Sequence, residues 1–128
     1  MKLHIKNKIN VDGQVEFVEQ SYPVKLTEKN GHIYLTYTNE EKETVMLKCN
    51  DQELIMTRYS NPKSIMRFHR ENPAVVAIPT PVGLQHLQTK TSVYELDETK
   101  QNLKIHYQLK QLEGDSVFAN YQLEIKWL

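Results

Sequence analysis

Arg58 is the residue best equipped for chemistry in this chain. It follows Leu54 and Met56 at two-residue spacing. Strand alternation therefore turns its guanidinium to the same side as those apolar side chains. A guanidinium facing an interior needs partners, and its fixed fork of five donors suits a carboxylate best. Three readings follow: an anion-binding group inside a β-structure, an internal ion pair with a carboxylate such as Glu95, or a bulge that turns the side chain outward. Tyr107 and Tyr121 also occupy apolar positions of alternating segments. There they either orient the polar head of a ligand or complete the core with their hydroxyls on backbone groups. His86 alternates with Leu84, which points it inward as well.

The other chemistry-bearing residues are isolated. His4, His32, His69, His86 and His106 form no close pair and no Cys/His set with metal-ligand spacing, so the sequence offers no metal site and implies no cofactor. Cys49 is the single cysteine and reads as a buried, inert thiol. Asn7 interrupts an otherwise apolar face, as a bulge or a satisfied buried amide would. There is no glycine-rich phosphate loop, nucleophile elbow or paired-carboxylate motif, so no catalytic residue is identified.

The elements that must position these residues are strands. Leu103, Ile105, Tyr107 and Leu109 alternate with Asn102, Lys104, His106, Gln108 and Lys110. After Glu113-Gly114-Asp115 the pattern resumes through Val117, Ala119, Tyr121, Leu123, Ile125 and Trp127. Period two over this length predicts a long hairpin with one wet and one buried face. Leu3, Ile5 and Ile9 repeat the pattern near the start, and Val15 and Phe17 then Val24 and Leu26 follow, with Tyr22-Pro23 as a kink. Asn30-Gly31 is the strongest hairpin signal, because both central residues of a tight I′ turn need positive φ. Two strand patterns, about 83–91 and 92–97, follow the Thr80-Pro81-Val82-Gly83 break. Nine to eleven such segments with frequent turns predict a single all-β domain, an antiparallel barrel or sandwich.

Composition narrows the partners. The 16 basic residues balance 16 acidic ones, and neither half of the chain is basic. A nucleic-acid partner therefore lacks its electrostatic footprint, and a polybasic membrane patch is missing too. No window approaches the ~18 apolar residues of a membrane span, and the first residues read as a strand instead of a signal peptide. With one unpaired cysteine, the expectation is a cytoplasmic protein.

From residue 53 onward the chain resembles a known family. The segments that carry the likeness are Glu53-Leu54-Ile55-Met56-Thr57-Arg58, Ser64-Ile65-Met66-Arg67-Phe68, Thr80-Pro81-Val82-Gly83 with Thr91, Leu103 to Leu109, and Tyr121 to Ile125. In that order they resemble the YwiB-like family of small proteins from low-GC Gram-positive bacteria. The resemblance implies a calycin-like, lipocalin-shaped barrel of about eight to ten strands and unknown function, with no catalytic residue to transfer. One departure stands out: where the family has a glycine soon after its arginine, this chain reads Tyr59-Ser60-Asn61-Pro62.

Three functional expectations follow. The first is a binder of one small ligand, apolar or carboxylate-bearing, with its head near Arg58 and with Tyr107, Tyr121, His86 and Glu95 as lining candidates. The second is a cofactor-free lyase or isomerase in which Arg58 holds a carboxylate while Tyr107, Tyr121 or Glu95 moves protons. The third is a packed barrel, filled by Phe68, Met66, Tyr107, Tyr121 and Trp127. It would act as a homodimer through an outer patch with Val18, Met46 or Phe118.

Overall fold

The computed structural model describes all 128 residues. They form eleven strands and no helix: β1 (Lys2–Val11), β2 (Gln14–Pro23), β3 (Lys25–Lys29), β4 (His32–Thr38), β5 (Thr44–Cys49), β6 (Glu53–Arg58), β7 (Ser64–His69), β8 (Ala74–Thr80), β9 (Gly83–Asp97), β10 (Asn102–Gln111) and β11 (Val117–Trp127). No helix is long and apolar enough to cross a membrane.

All eleven strands belong to one antiparallel sheet, in the order β2-β1-β11-β10-β9-β8-β7-β6-β5-β4-β3. From β3 to β11 the chain meanders, each strand pairing with the next. The last strand then returns to the first, from Leu3 opposite Trp127 to Asn10 opposite Asn120. The two ends of the sheet are consecutive in the chain, so the sheet curls into a nearly closed barrel joined at Pro23-Val24. Proline has no N–H to donate and fixes φ, which suits a corner where one ladder stops and another begins. The Val24 N–H bonds instead to the Met1 carbonyl at 3.1 Å.

Turn chemistry sets the registers. Asp12-Gly13 and Asn30-Gly31 both have positive φ (51° and 81°, 53° and 75°), as two-residue I′ hairpins require. The departure noted at Asn61-Pro62 is a cis peptide bond, with the Ser60 hydroxyl donating to the Pro62 carbonyl at 2.8 Å. The two patterns at 83–91 and 92–97 are one 15-residue strand, β9. Its pairing with β10 slips between His106 and Tyr107, which leaves Ser92 as an extra residue.

The barrel is not equally filled along its length. One contiguous core includes Leu3, Leu35, Leu47, Leu54, Phe68, Leu103, Ile105 and Trp127, all 2% exposed or less. Further along the same inward face Asn7, Ile9, Met56, Met66, Thr91, Leu109 and Tyr121 are only half-buried. The weakest seam lies between β7 and β8, which pair only at Ile65 opposite Ala77. There the Thr89 hydroxyl, on β9, donates to the Arg67 carbonyl and satisfies a group the ladder leaves free.

Deleting part of the dry core should be costly. Leu47→Ala is expected to lower unfolding free energy by about 2–5 kcal/mol in urea. Val82→Ala, on a residue 98% exposed, should stay within about 0.5 kcal/mol.

Candidate functional site

The half-buried inner wall begins at an aromatic floor. Phe68 meets Tyr107 with ring centroids 4.5 Å apart, and Tyr107 stacks on Tyr121 at 4.6 Å with an interplanar angle of 8°. Pairing explains the arrangement: Thr91, Tyr107, Tyr121 and Ile9 lie side by side across β9, β10, β11 and β1. Asn7 is two residues before Ile9 on the same face. The side-chain oxygens of Asn7 and Thr91 are buried and have no hydrogen-bond partner. An unmade hydrogen bond at a buried polar atom costs about 1–3 kcal/mol, so these two oxygens mark a place where a polar group is wanted.

Above the floor, Leu54 pairs with Phe68, Met56 with Met66, and Arg58 with Ser64. Arg58 thus keeps the inward register that alternation assigns, four residues and roughly 13 Å along the strand from Leu54. It lies at the strand end, however, and its side chain is 48% exposed. Its nearest carboxylate is Glu43, with Nε to Oε1 at 3.8 Å, and not Glu95. At that length the pair leaves most of the guanidinium's donors unused.

The β4–β5 loop builds the rest of this rim. The Asn39 side-chain oxygen accepts the N–H groups of Glu41 and Glu43, both at 3.0 Å. Its amide donates to Glu43 at 3.1 Å. Tyr22 donates to Glu40 at 2.7 Å and stacks on Tyr37 at 4.6 Å. The Tyr22 hydrogen bond holds the Glu40 carboxyl below the usual carboxylate range. Sequence reasoning passed over this group. Tyr22 reads in the sequence only as part of a kink, and nothing local announces that a β2 ring meets a β4 ring.

His86 and Glu95 are elsewhere, and both expectations need correction. His86 and Leu84 are exposed, whereas Leu87 and Thr89 are buried. The inward positions in this part of β9 are the odd ones, and the apolar Leu84 sits near the strand start, opposite Pro79. Beyond the Ser92 bulge the phase resets, so Tyr94 and Leu96 turn inward and Glu95 outward. Glu95 ends an outer row of alternating charge, Glu19, Lys6, Glu124, Lys104 and Glu95, across five strands. Of the patch residues, Phe118 is exposed, Met46 is half-buried on the outer face, and Val18 lies on the inward register opposite Asn7.

Burial pushes the phenol of Tyr107 well above its ordinary value of 10.0, with Tyr121 adding to the shift. Cys49 is buried, and its thiol is pushed up to about 12 by burial. No group of three His, Cys, Asp or Glu residues is close enough to hold a metal ion.

These shifts have a signed consequence. Tyr37 rises from 10.0 to about 12 through burial, and Cys49 from 9.0 to about 12. The folded state therefore holds these protons more tightly than the unfolded chain. The resulting stability is complete below about pH 9 and is lost as pH rises toward 12. Urea midpoints should fall progressively between pH 9 and 11, with tyrosinate absorbance at 295 nm rising along the unfolding curve. Midpoints unchanged to pH 11 would contradict this.

The comparisons agree with the fold. The chain is similar to the crystal structure of ywiB protein from Bacillus subtilis, with a TM-score of 0.75 and 22% identity over 98% of this chain and 89% of that one. No functionally curated protein matches it. A family model described as a domain of unknown function, DUF1934, matches residues 3–125. The expected resemblance is therefore borne out, and with nearly its whole length matched the chain belongs to the DUF1934 family.

Proposed function

We propose that this protein binds one small amphipathic molecule in the half-buried part of its barrel. The observation that carries the reading is the pair of unpartnered oxygens, on Asn7 and Thr91, beside the Tyr107–Tyr121 stack. The ligand's apolar body rests on Tyr121, Met56 and Met66. Its hydroxyl or amine hydrogens meet the two oxygens. Its anionic head, a carboxylate by preference, meets the free donors of Arg58 at the rim. The binder acts in the cytoplasm, in keeping with a single thiol and no disulfide.

The enzyme reading loses support with Glu95 on the outer face; Glu16, the carboxylate in the inward row opposite Ile9, is exposed. Phe68, Tyr107 and Trp127 do fill part of the lumen, as the packed-barrel reading expects. Met66 and Tyr121 pack against that core yet stay partly exposed, which favours a half-filled barrel over a solid one.

The test uses 8-anilinonaphthalene-1-sulfonate, an aromatic anion, with native mass spectrometry of protein purified gently from its own host. A single saturable fluorescent site is expected, weakened roughly 10- to 100-fold by Arg58→Leu, the magnitude of a charge-assisted hydrogen bond. Thr91→Val should weaken it less. A co-purifying small-molecule mass lost in Arg58→Leu would identify the ligand class. Equal affinity in the wild type and Arg58→Leu would overturn the assignment.

A further inference from the structure

We infer that the β4–β5 loop, residues 39–43, is a latch: side chains alone hold it against β2, and it is a part of the barrel wall that opens. The wall it closes flanks the lumenal site, so its role in ligand entry rests on the binding reading above.

The latch lies where the ladder stops. β2 and β3 end the sheet order, and β2 is paired with β1 only. β4 runs past the start of β3: Lys25 lies opposite Thr36, which leaves Tyr37 and Thr38 with no partner on β3. Tyr37 and the loop after it meet the end of β2 with no backbone hydrogen bond between them. Three side-chain contacts join them. The Tyr22 hydroxyl donates to Glu40 Oε1 at 2.7 Å, and the Gln20 amide donates to the same oxygen at 3.3 Å. The rings of Tyr22 and Tyr37 stack at 4.6 Å. Beyond Gln20 the inward side chains of β2 lose cover: Val18 is half-buried and Glu16 exposed. Val18 lies opposite Asn7, which carries one of the two unpartnered oxygens. The latch is therefore the last closure before the half-filled part of the lumen.

The loop is built to move as one piece. The Asn39 side-chain oxygen accepts the N–H groups of Glu41 and Glu43. The Asn39 N–H donates to the Glu43 carbonyl at 3.0 Å, and the Lys42 N–H to the Asn39 carbonyl at 3.1 Å. All four bonds are internal, so swinging the loop outward breaks none of them. It breaks the ring stack and two hydrogen bonds to an exposed carboxylate. Local opening is drawn from such thinly held segments. The loop has a second tether, Glu43 on Arg58 at 3.8 Å. An anionic head that takes Arg58 displaces Glu43 and frees that tether, so ligand capture favours the open latch.

Relaxation dispersion of backbone amides tests the latch without a ligand. Exchange on the microsecond-to-millisecond scale is expected at residues 39–43 and at Gln20 to Tyr22. Tyr22→Phe keeps the ring, and Glu40→Gln lies at an exposed position. Each should raise the open population about 10-fold, as loss of a hydrogen bond to a charged group does. With 8-anilinonaphthalene-1-sulfonate, both variants should speed entry and exit together by about 10-fold and leave affinity within about twofold. Glu43→Gln keeps the oxygen that the Asn39 amide holds. It should tighten affinity about two- to fivefold, the size of an exposed ion pair. No exchange at this segment in the wild type or either latch variant would overturn the inference. So would unchanged entry and exit rates in a variant whose open population has risen. A probe site indifferent to Arg58→Leu, together with exchange raised by Tyr22→Phe, would uphold the latch and defeat the binding reading.

Discussion

The pairing of the first strand with the last is the contact on which this barrel depends. All the other strand pairs are hairpin neighbours that form within short stretches of chain. β1 and β11 are the one pair of neighbours that lie far apart in the sequence. At the meeting point Lys2 and Leu128 exchange hydrogen bonds at 2.8 and 3.0 Å, and Val24 bonds to Met1. Leu3, Ile5, Ile125 and Trp127 bring the densest side chains of the core to the same seam. Joining segments so distant in sequence costs loop entropy that the local hairpins do not repay. The large buried side chains at that seam are the compensating gain.

The two halves of the barrel differ in strand length. β9, β10, β11, β1 and β2 run 10 to 15 residues each, while β3 to β8 run five to seven. The half-buried inward residues come from both sets: Asn7, Ile9 and Tyr121 from the long strands, Met56 and Met66 from the short ones. Thr89 and Ala119, farther along the long strands, are buried. Arg58 ends a short strand, with its side chain 48% exposed.

Much of this was legible in the sequence, and the failures share a cause. Alternation placed Leu103 to Leu109, Tyr121 to Trp127 and the inward register of Arg58, because register is local where strands are regular. It misplaced His86, because the Leu84 with which it alternates is itself exposed near the strand start, and Glu95, because a single inserted residue at Ser92 changes which positions face inward and no residue type announces a bulge there. It read Val15 and Phe17 like any other apolar pair in a strand. A two-residue turn at Asp12-Gly13 decides the register more firmly than hydrophobicity does. The rim of Tyr22, Tyr37, Glu40 and Glu43 joins residues from two strands and a loop, and only closure brings them together.

The central claim is that the barrel interior is only half-filled beside the Tyr107–Tyr121 stack and dry around Leu47, Leu54 and Leu103. The most direct measurement is paramagnetic relaxation of side-chain methyls by a small neutral soluble probe, with methionine and leucine methyls labelled. Met56 and Met66 should relax strongly, while Leu47, Leu54 and Leu103 should be untouched. Equal protection of Met56, Met66 and the leucines would mean a solid barrel and contradict the account.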